Sequence, residues 1–351
     1  MRLCGAFLRG LRLGILSHPH TNVNSTKVLT KINLITKYLK FGEVVVIILA
    51  LLIIFKLLFL TYPDIVLTAS RSGLLLWFNN VMPALLPFMV ITNMLMSLGF
   101  AEFLGKFLSL VMQKIYNLPG AGGVAFIVGL TSGYPIGAKA VTELRKTSVI
   151  SVRDAQHLLA FCNNAGPLFI LGVVGIGFFG NRTIGYILWT AHIFAALVLG
   201  ILLRNKNRLV QNEPVARTNT ISFGKALGGA VKNAMESMAV IGGLIIFFNT
   251  VVAVLSEIGL PNEGMLAGWL AGLIEVTGGL GKISADGIST ATLAVAAFVI
   301  AFGGFSIHMQ TLHFTEGTGI KAAPYIFAKF LHGLIAAAFT ILLWTIFKQF
   351  V

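Results

Sequence analysis

Two polar, helix-breaking clusters interrupt the apolar stretch from Gly129 to Leu171: Thr131-Ser132-Gly133-Tyr134-Pro135 and Cys162-Asn163-Asn164-Ala165-Gly166-Pro167. In hydrocarbon every backbone N–H and C=O has to find a partner. An unwound turn and two adjacent Asn side chains therefore persist there only where protein or a wet cavity surrounds them. Interrupted helices at membrane depth are the sequence mark of a secondary transporter's binding site. The remaining chain is read as the scaffold that brings these clusters together.

The scaffold is a membrane one. Only 11% of the 351 residues are charged, against about 25% in a soluble domain. The predicted fold is an all-α polytopic membrane protein. The net charge of +14 is not a nucleic-acid signature, because Lys and Arg gather in a few loops, as the positive-inside rule requires. The two cysteines, Cys4 and Cys162, lie far apart, and no disulfide framework or metal spacing follows from them. The chain carries no HExxH, GxSxG or Walker loop, so no enzyme class is indicated.

Residues 1–42 form a basic arm (Arg2, Arg9, Arg12, Lys27, Lys31, Lys37, Lys40) with no acid before Glu43, read as cytoplasmic. A signal peptide is the weaker alternative, since no small-residue cleavage site follows. Residues 43–71 hold the first span, Val44–Leu60, and an outer loop. Repeat 1 (72–203) has a returning span (Ser72–Leu98), an amphipathic interfacial stretch (Glu102–Asn117) and a re-entrant hairpin (118–146). Two crossings follow, Gln156–Phe179 and Thr183–Leu203. A second basic stretch, 204–232, links to repeat 2 (233–351). Repeat 2 holds a span from Ala234 to Leu255, a second hairpin (264–282) and crossings at Ala291–Gln310 and Tyr325–Phe347. Charge decides the hairpin: a full crossing would place Arg145, Lys146 and Arg153 outside, whereas a hairpin keeps them inside. The expected total is about seven transmembrane helices and two re-entrant hairpins.

The halves match thinly but in order. GLTSGYPIGAK (129–139) sets against GLIEVTGGLGK (272–282), and FCNNAGPLFI (161–170) against FVIAFGGFSI (298–307). Tyr186-Ile187 pairs with Tyr325-Ile326 at nearly constant offset. Three spans per unit is an odd number, so the second unit is expected to be inverted in the membrane.

The chemistry sits in the broken segments. Free N–H groups at the hairpin turn Thr131 to Pro135 attract carboxylate or phosphate, and Lys139 adds a charge or else snorkels to the interface. Asn163 and Asn164 offer amide donors and acceptors, either to a substrate or as helix glue; Gly166 and Pro167 complete that break. Glu275 and Thr277 occupy the second hairpin where Ser132 and Tyr134 sit in the first. Glu275 is a candidate proton or cation site, or a residue in outer water. Ser306, His308 and Gln310 end the sixth span, and His192 and His332 occupy the two final spans; single histidines of this kind are usually packed rather than functional.

At SGYPIGAK (132–139) and FCNNAGPLFI (161–170) the sequence resembles the YlbJ family of sporulation integral membrane proteins, within the wider nucleoside-recognition, or Gate-domain, group. The resemblance covers residues 44 to 350; the basic arm is not part of that pattern. It implies a plan similar to that of concentrative nucleoside transporters, two re-entrant hairpins around a central site. It also implies the cell membrane or the outer forespore membrane as location and dipicolinate, a small aromatic dicarboxylate, as substrate. A nucleoside carrier and a non-transporting scaffold for spore assembly remain the alternatives. The expected partners are the small anion and the lipid bilayer, with a homo-oligomer as an open option and no nucleic acid. No cofactor or metal is expected, and the residues specify no coupling ion.

Overall fold

The computed structural model describes residues 46–204 and 222–350. The chain divides into two compact units, residues 1–63 and 64–351. The described part of the first is a single apolar helix, α1 (Val46–Thr61). The basic arm lies outside the described residues.

The second unit is helical among its described residues. Helix α2 (Pro63–Leu76) runs through a π turn (Trp77–Val81) into α3 (Met82–Ser97). Residues 63–71 were expected to lie in an outer loop but are helical. The start signal is local, a Pro at the first position and Asp64 in the first turn, where each suits the free N–H groups. The amphipathic stretch becomes α4 (Phe100–Val111) and a π turn (Met112–Tyr116).

From there the order of elements occurs twice. A helical hairpin, α5 (Gly122–Ser132) and α6 (Ile136–Lys146), precedes two half-helices, α7 (Val152–Cys162) and α8 (Leu168–Phe178, wound with π geometry), and then a long helix, α9 (Arg182–Leu202). After α10 (Phe223–Glu257) come a second hairpin, α11 (Gly264–Ile274) and α12 (Val276–Ala285), two half-helices, α13 (Thr290–Phe302) and α14 (Gly304–Thr315), and the long α15 (Ala322–Phe347). The caps repeat too. Ser151 and Asp154 close a capping box at the start of α7, and Ser289 and Thr292 close one at α13. Each satisfies two of the N–H groups that a helix start leaves free.

The burial pattern is that of a protein in lipid. Large apolar side chains such as Leu202, Phe107 and Phe327 point outward, while Asn163, Glu275, His308, Gln310, Lys329 and His332 are buried. A soluble protein would place these the other way. Four helices (α9, α10, α13 with α14, and α15) are long and apolar enough to cross a bilayer among the described residues. Helix α10 begins at Phe223, well before the expected Ala234, so the end of the basic linker is its first turns.

Candidate functional site

Hairpin α5–α6 is seated on the break between α7 and α8. The Cys162 carbonyl at the end of α7 lies against Gly129 and Gly137: a β-carbon would come within 1.7 Å of that oxygen at Gly129 and 2.2 Å at Gly137. At the turn, Gly133 has φ +81°, and its β-carbon would meet Gly166 N at 2.5 Å. Only glycine reconciles that left-handed backbone with so close an approach. The Tyr134–Pro135 peptide is cis. Ser132 shares a hydrogen bond with Thr92 on α3, 3.0 Å. Thr131 is exposed and donates back to Ile127 O at 2.8 Å.

The break carries the Asn pair. Asn163 Nδ2 donates to Thr311 Oγ1 on α14 (2.9 Å) and to Tyr325 OH on α15 (2.7 Å). Tyr325 OH in turn donates to Thr311 at 3.3 Å. Asn164 Nδ2 caps the Phe161 carbonyl at 2.7 Å, and Ala165 N–H donates to His192 Nε2 on α9 at 3.0 Å. Both Asn side chains are fully buried, and their Oδ1 atoms have no protein partner. So Asn163 ties the first break to the second repeat, and Asn164 closes α7.

In the second repeat Glu275 caps α12. Its Oε1 accepts from Thr277 N–H (3.0 Å) and its Oε2 from Gly278 N–H (2.7 Å). It is 2% exposed, so the outer-water position is excluded. Gln310 Nε2 on α14 donates to Ser306 Oγ at 3.4 Å, while Gln310 Oε1 is buried without a partner.

One cavity gathers both hairpin turns, the first break with α8, and α14. Tyr134 lines it from the first turn, Gly166 from the first break, Glu275, Val276 and Thr277 from the second turn, and Ile307 and Gln310 from α14. Asn80, Leu85, Ile241 and Ile245 close it from the first π turn, α3 and α10. Tyr134 OH is buried there without a partner. The cavity measures about 60 Å³, room for about two waters at the ~30 Å³ each takes in the liquid. On the far side of the first turn of α12 lies a wider cleft of about 560 Å³, lined by Asp64, Asn249, Glu257, Asn262, Gly278 and Lys282. One helical turn thus separates cleft from cavity.

Of the residues singled out in the sequence, Tyr134, Gly166, Glu275, Thr277 and Gln310 line the cavity. Ser132, Gly133, Pro135, Pro167, Asn163, Asn164 and Ser306 build the elements around it. Thr131 and Lys139 are not brought to it. Lys139 Nζ instead donates to Ser237 Oγ (3.1 Å) and Asn233 O (3.4 Å) on α10. The matched Lys282 donates to Asn262 O at 2.9 Å. Each thus bonds to protein backbone or hydroxyl. Sequence reasoning passed over Lys329 and Thr311. For Lys329 a signal existed: a lysine inside a span is expensive enough to be a functional candidate, and His332 three residues on shares its face.

A multi-pass integral membrane protein, helical throughout its described residues and with two interrupted repeats around a buried polar centre, is the class this architecture defines. The Gate family, described as nucleoside recognition, matches residues 78–182, the part from the first π turn to the start of α9. The sporulation integral membrane protein YlbJ of Bacillus subtilis (strain 168) is 32% identical over 81% of this chain and 79% of its own length. The chain belongs to the YlbJ family of sporulation integral membrane proteins. No solved structure matches it.

Proposed function

We propose that this protein is a transporter of a small organic anion, dipicolinate, carried across the outer forespore membrane during spore maturation. The observation that carries the proposal is the convergence of both hairpin turns, the first helix break and α14 on one buried cavity. In this proposal the hairpins are re-entrant, about seven helices span the bilayer, and the second repeat is inverted. Helices α6, α8 and α12 start beside the residues that line the cavity. Their N-termini supply partial positive charge where a carboxylate would sit. Tyr134 OH and Gln310 add hydrogen-bonding groups that have capacity to spare. The Glu275 carboxylate is turned to the α12 N–H groups, which limits its repulsion of an anion.

Small-molecule sites usually measure about 300 Å³ or more, so a cavity of about 60 Å³ holds dipicolinate only after the hairpins separate. In this proposal the second hairpin, whose α12 lines both cleft and cavity, is the element that moves.

A nucleoside carrier is the second proposal. It is favoured by the family description and by the lack of a basic side chain among the residues lining the cavity. Uptake by proteoliposomes containing the purified full chain separates the two. Accumulation of dipicolinate but not of uridine is expected. Uridine uptake alone selects the second proposal, and uptake of neither leaves a non-transporting scaffold.

A further inference from the structure

A polar chain behind the cavity has no part in the proposal above. Lys329 is 1% exposed, about two turns into α15. Its Nζ donates to the backbone carbonyl of Asn163 at 2.8 Å and lies 2.7 Å from His332 Nδ1. His332 Nε2 lies 3.1 Å from the His192 carbonyl. His192 Nε2 receives the Ala165 N–H. The chain therefore runs from the first helix break through α15 to α9 and back to the same break. His192 and His332 hold matched places in the two repeats, and their rings meet at 4.7 Å.

The protons can be assigned from the fixed partners. A backbone N–H only donates, so His192 Nε2 is an acceptor and its proton sits on Nδ1. A carbonyl only accepts, so His332 carries its proton on Nε2, leaving Nδ1 to accept from Lys329. Lys329 then has two acceptors. A neutral amine has two N–H groups and fills both, while an ammonium has a third to place. The site holds Lys329 in either protonation state with the same two bonds.

The surroundings contain no counter-charge. The ionisable groups facing Lys329 are Cys162 on α7, His192 on α9, His308 on α14 and His332 on its own helix, with Tyr325 one turn earlier on that helix. Helix α13 brings none. Among the described residues no carboxylate pairs with it. A buried ammonium without a counter-ion is costly, and a nearby anion offsets that cost. The ammonium also sits on the carbonyl at a half-helix end, the kind of group that takes a coupling cation in transporters.

We propose that Lys329 is the proton-binding site of this transporter, so that H⁺ is the ion carried with the anion. This rests on the anion-transport reading. One proton adds to the lone pair of neutral Nζ as the anion enters, and returns to water on the far side as the anion leaves.

The test uses the purified full chain in detergent at pH 7.5, with dipicolinate as probe, whose carboxylates are already ionised there. Equilibrium dialysis measures binding, and titration calorimetry in phosphate and in Tris measures proton uptake from the difference in buffer heat. Uptake of about one proton per dipicolinate bound is expected for the native chain, by linkage. Lys329→Gln, which keeps two N–H donors but takes no proton, is expected to bind without uptake; Lys329→Met is the second variant. Equal heats in both buffers with the native chain overturn the proposal without any variant, and so does proton uptake that survives Lys329→Gln. Absence of dipicolinate binding in dialysis removes the anion reading itself, and this proposal with it.

Discussion

At the scale of single residues, burial separates side chains that share a chemistry. Asn163 and Thr131 both stand in the broken stretch, yet one is fully buried and bonded across the repeats while the other bonds its own helix. Asn163→Ala removes two interhelical bonds, to Thr311 and Tyr325. Membrane hydrogen bonds average about 0.6 kcal/mol each, so the loss is about 1 kcal/mol, too little to unfold the protein. The expected outcome is a lowered thermal midpoint in detergent, normal accumulation in the membrane, and lost transport. Thr131→Ala should change none of the three. Lys139→Ala breaks a tie between α6 and α10, so it too should lower the midpoint while dipicolinate affinity by dialysis stays within about twofold. A tenfold loss of affinity would return Lys139 to the site. The residue types at the centre could be read from the sequence, because Asn, Glu and Gln stand out in apolar runs. Their partners could not. That Asn163 meets Tyr325, or that Lys139 turns to Ser237, depends on contacts between segments about a hundred or more positions apart.

At the scale of elements, the places where helices break were readable and the lengths of helices were not. Asn-Asn-Ala-Gly-Pro and Gly-Gly announce the two breaks through lost helix propensity. By contrast α10 runs from Phe223 through Gly and Lys residues expected to be loop, because local composition says little about where a long helix leaves the bilayer. The seat of the first hairpin on the Cys162 carbonyl gives a sharp test. Gly129→Ala sets a β-carbon 1.7 Å from that oxygen. Backbone has to move, at about 1–3 kcal/mol or more by the usual cost of overpacking. Gly172→Ala, with nothing within 4 Å of its β-carbon, serves as control. Thermal stability and yield in detergent should fall for the first and hold for the second. Equal tolerance of both would mean that hairpin and break do not touch.

At the scale of the whole molecule, the order of elements sets which sides of the membrane the hairpins would enter in the proposed arrangement. Between the end of α6 at Lys146 and the start of α11 at Gly264 the described residues make three long runs: α7 with α8, α9, and α10. If each crosses, the number is odd and the two hairpins open to opposite sides. Helix α10 has 35 residues, about 52 Å at 1.5 Å per residue, against roughly 30 Å of hydrocarbon. Its surplus fits at the N-terminal end, where Lys225 and Lys232 lie, so those turns should stand in the cytoplasm. The test places single cysteines at Thr147 and Glu263 in a Cys4→Ser background. The natural Cys162 is fully buried and should stay silent. A membrane-impermeant maleimide applied to oriented vesicles is expected to reach Glu263→Cys from the outer side and Thr147→Cys from the cytoplasmic side. Labelling of both from one side would leave an even number of crossings between them. The two repeats would then be parallel, and a centre reached alternately from two compartments would lose its structural basis.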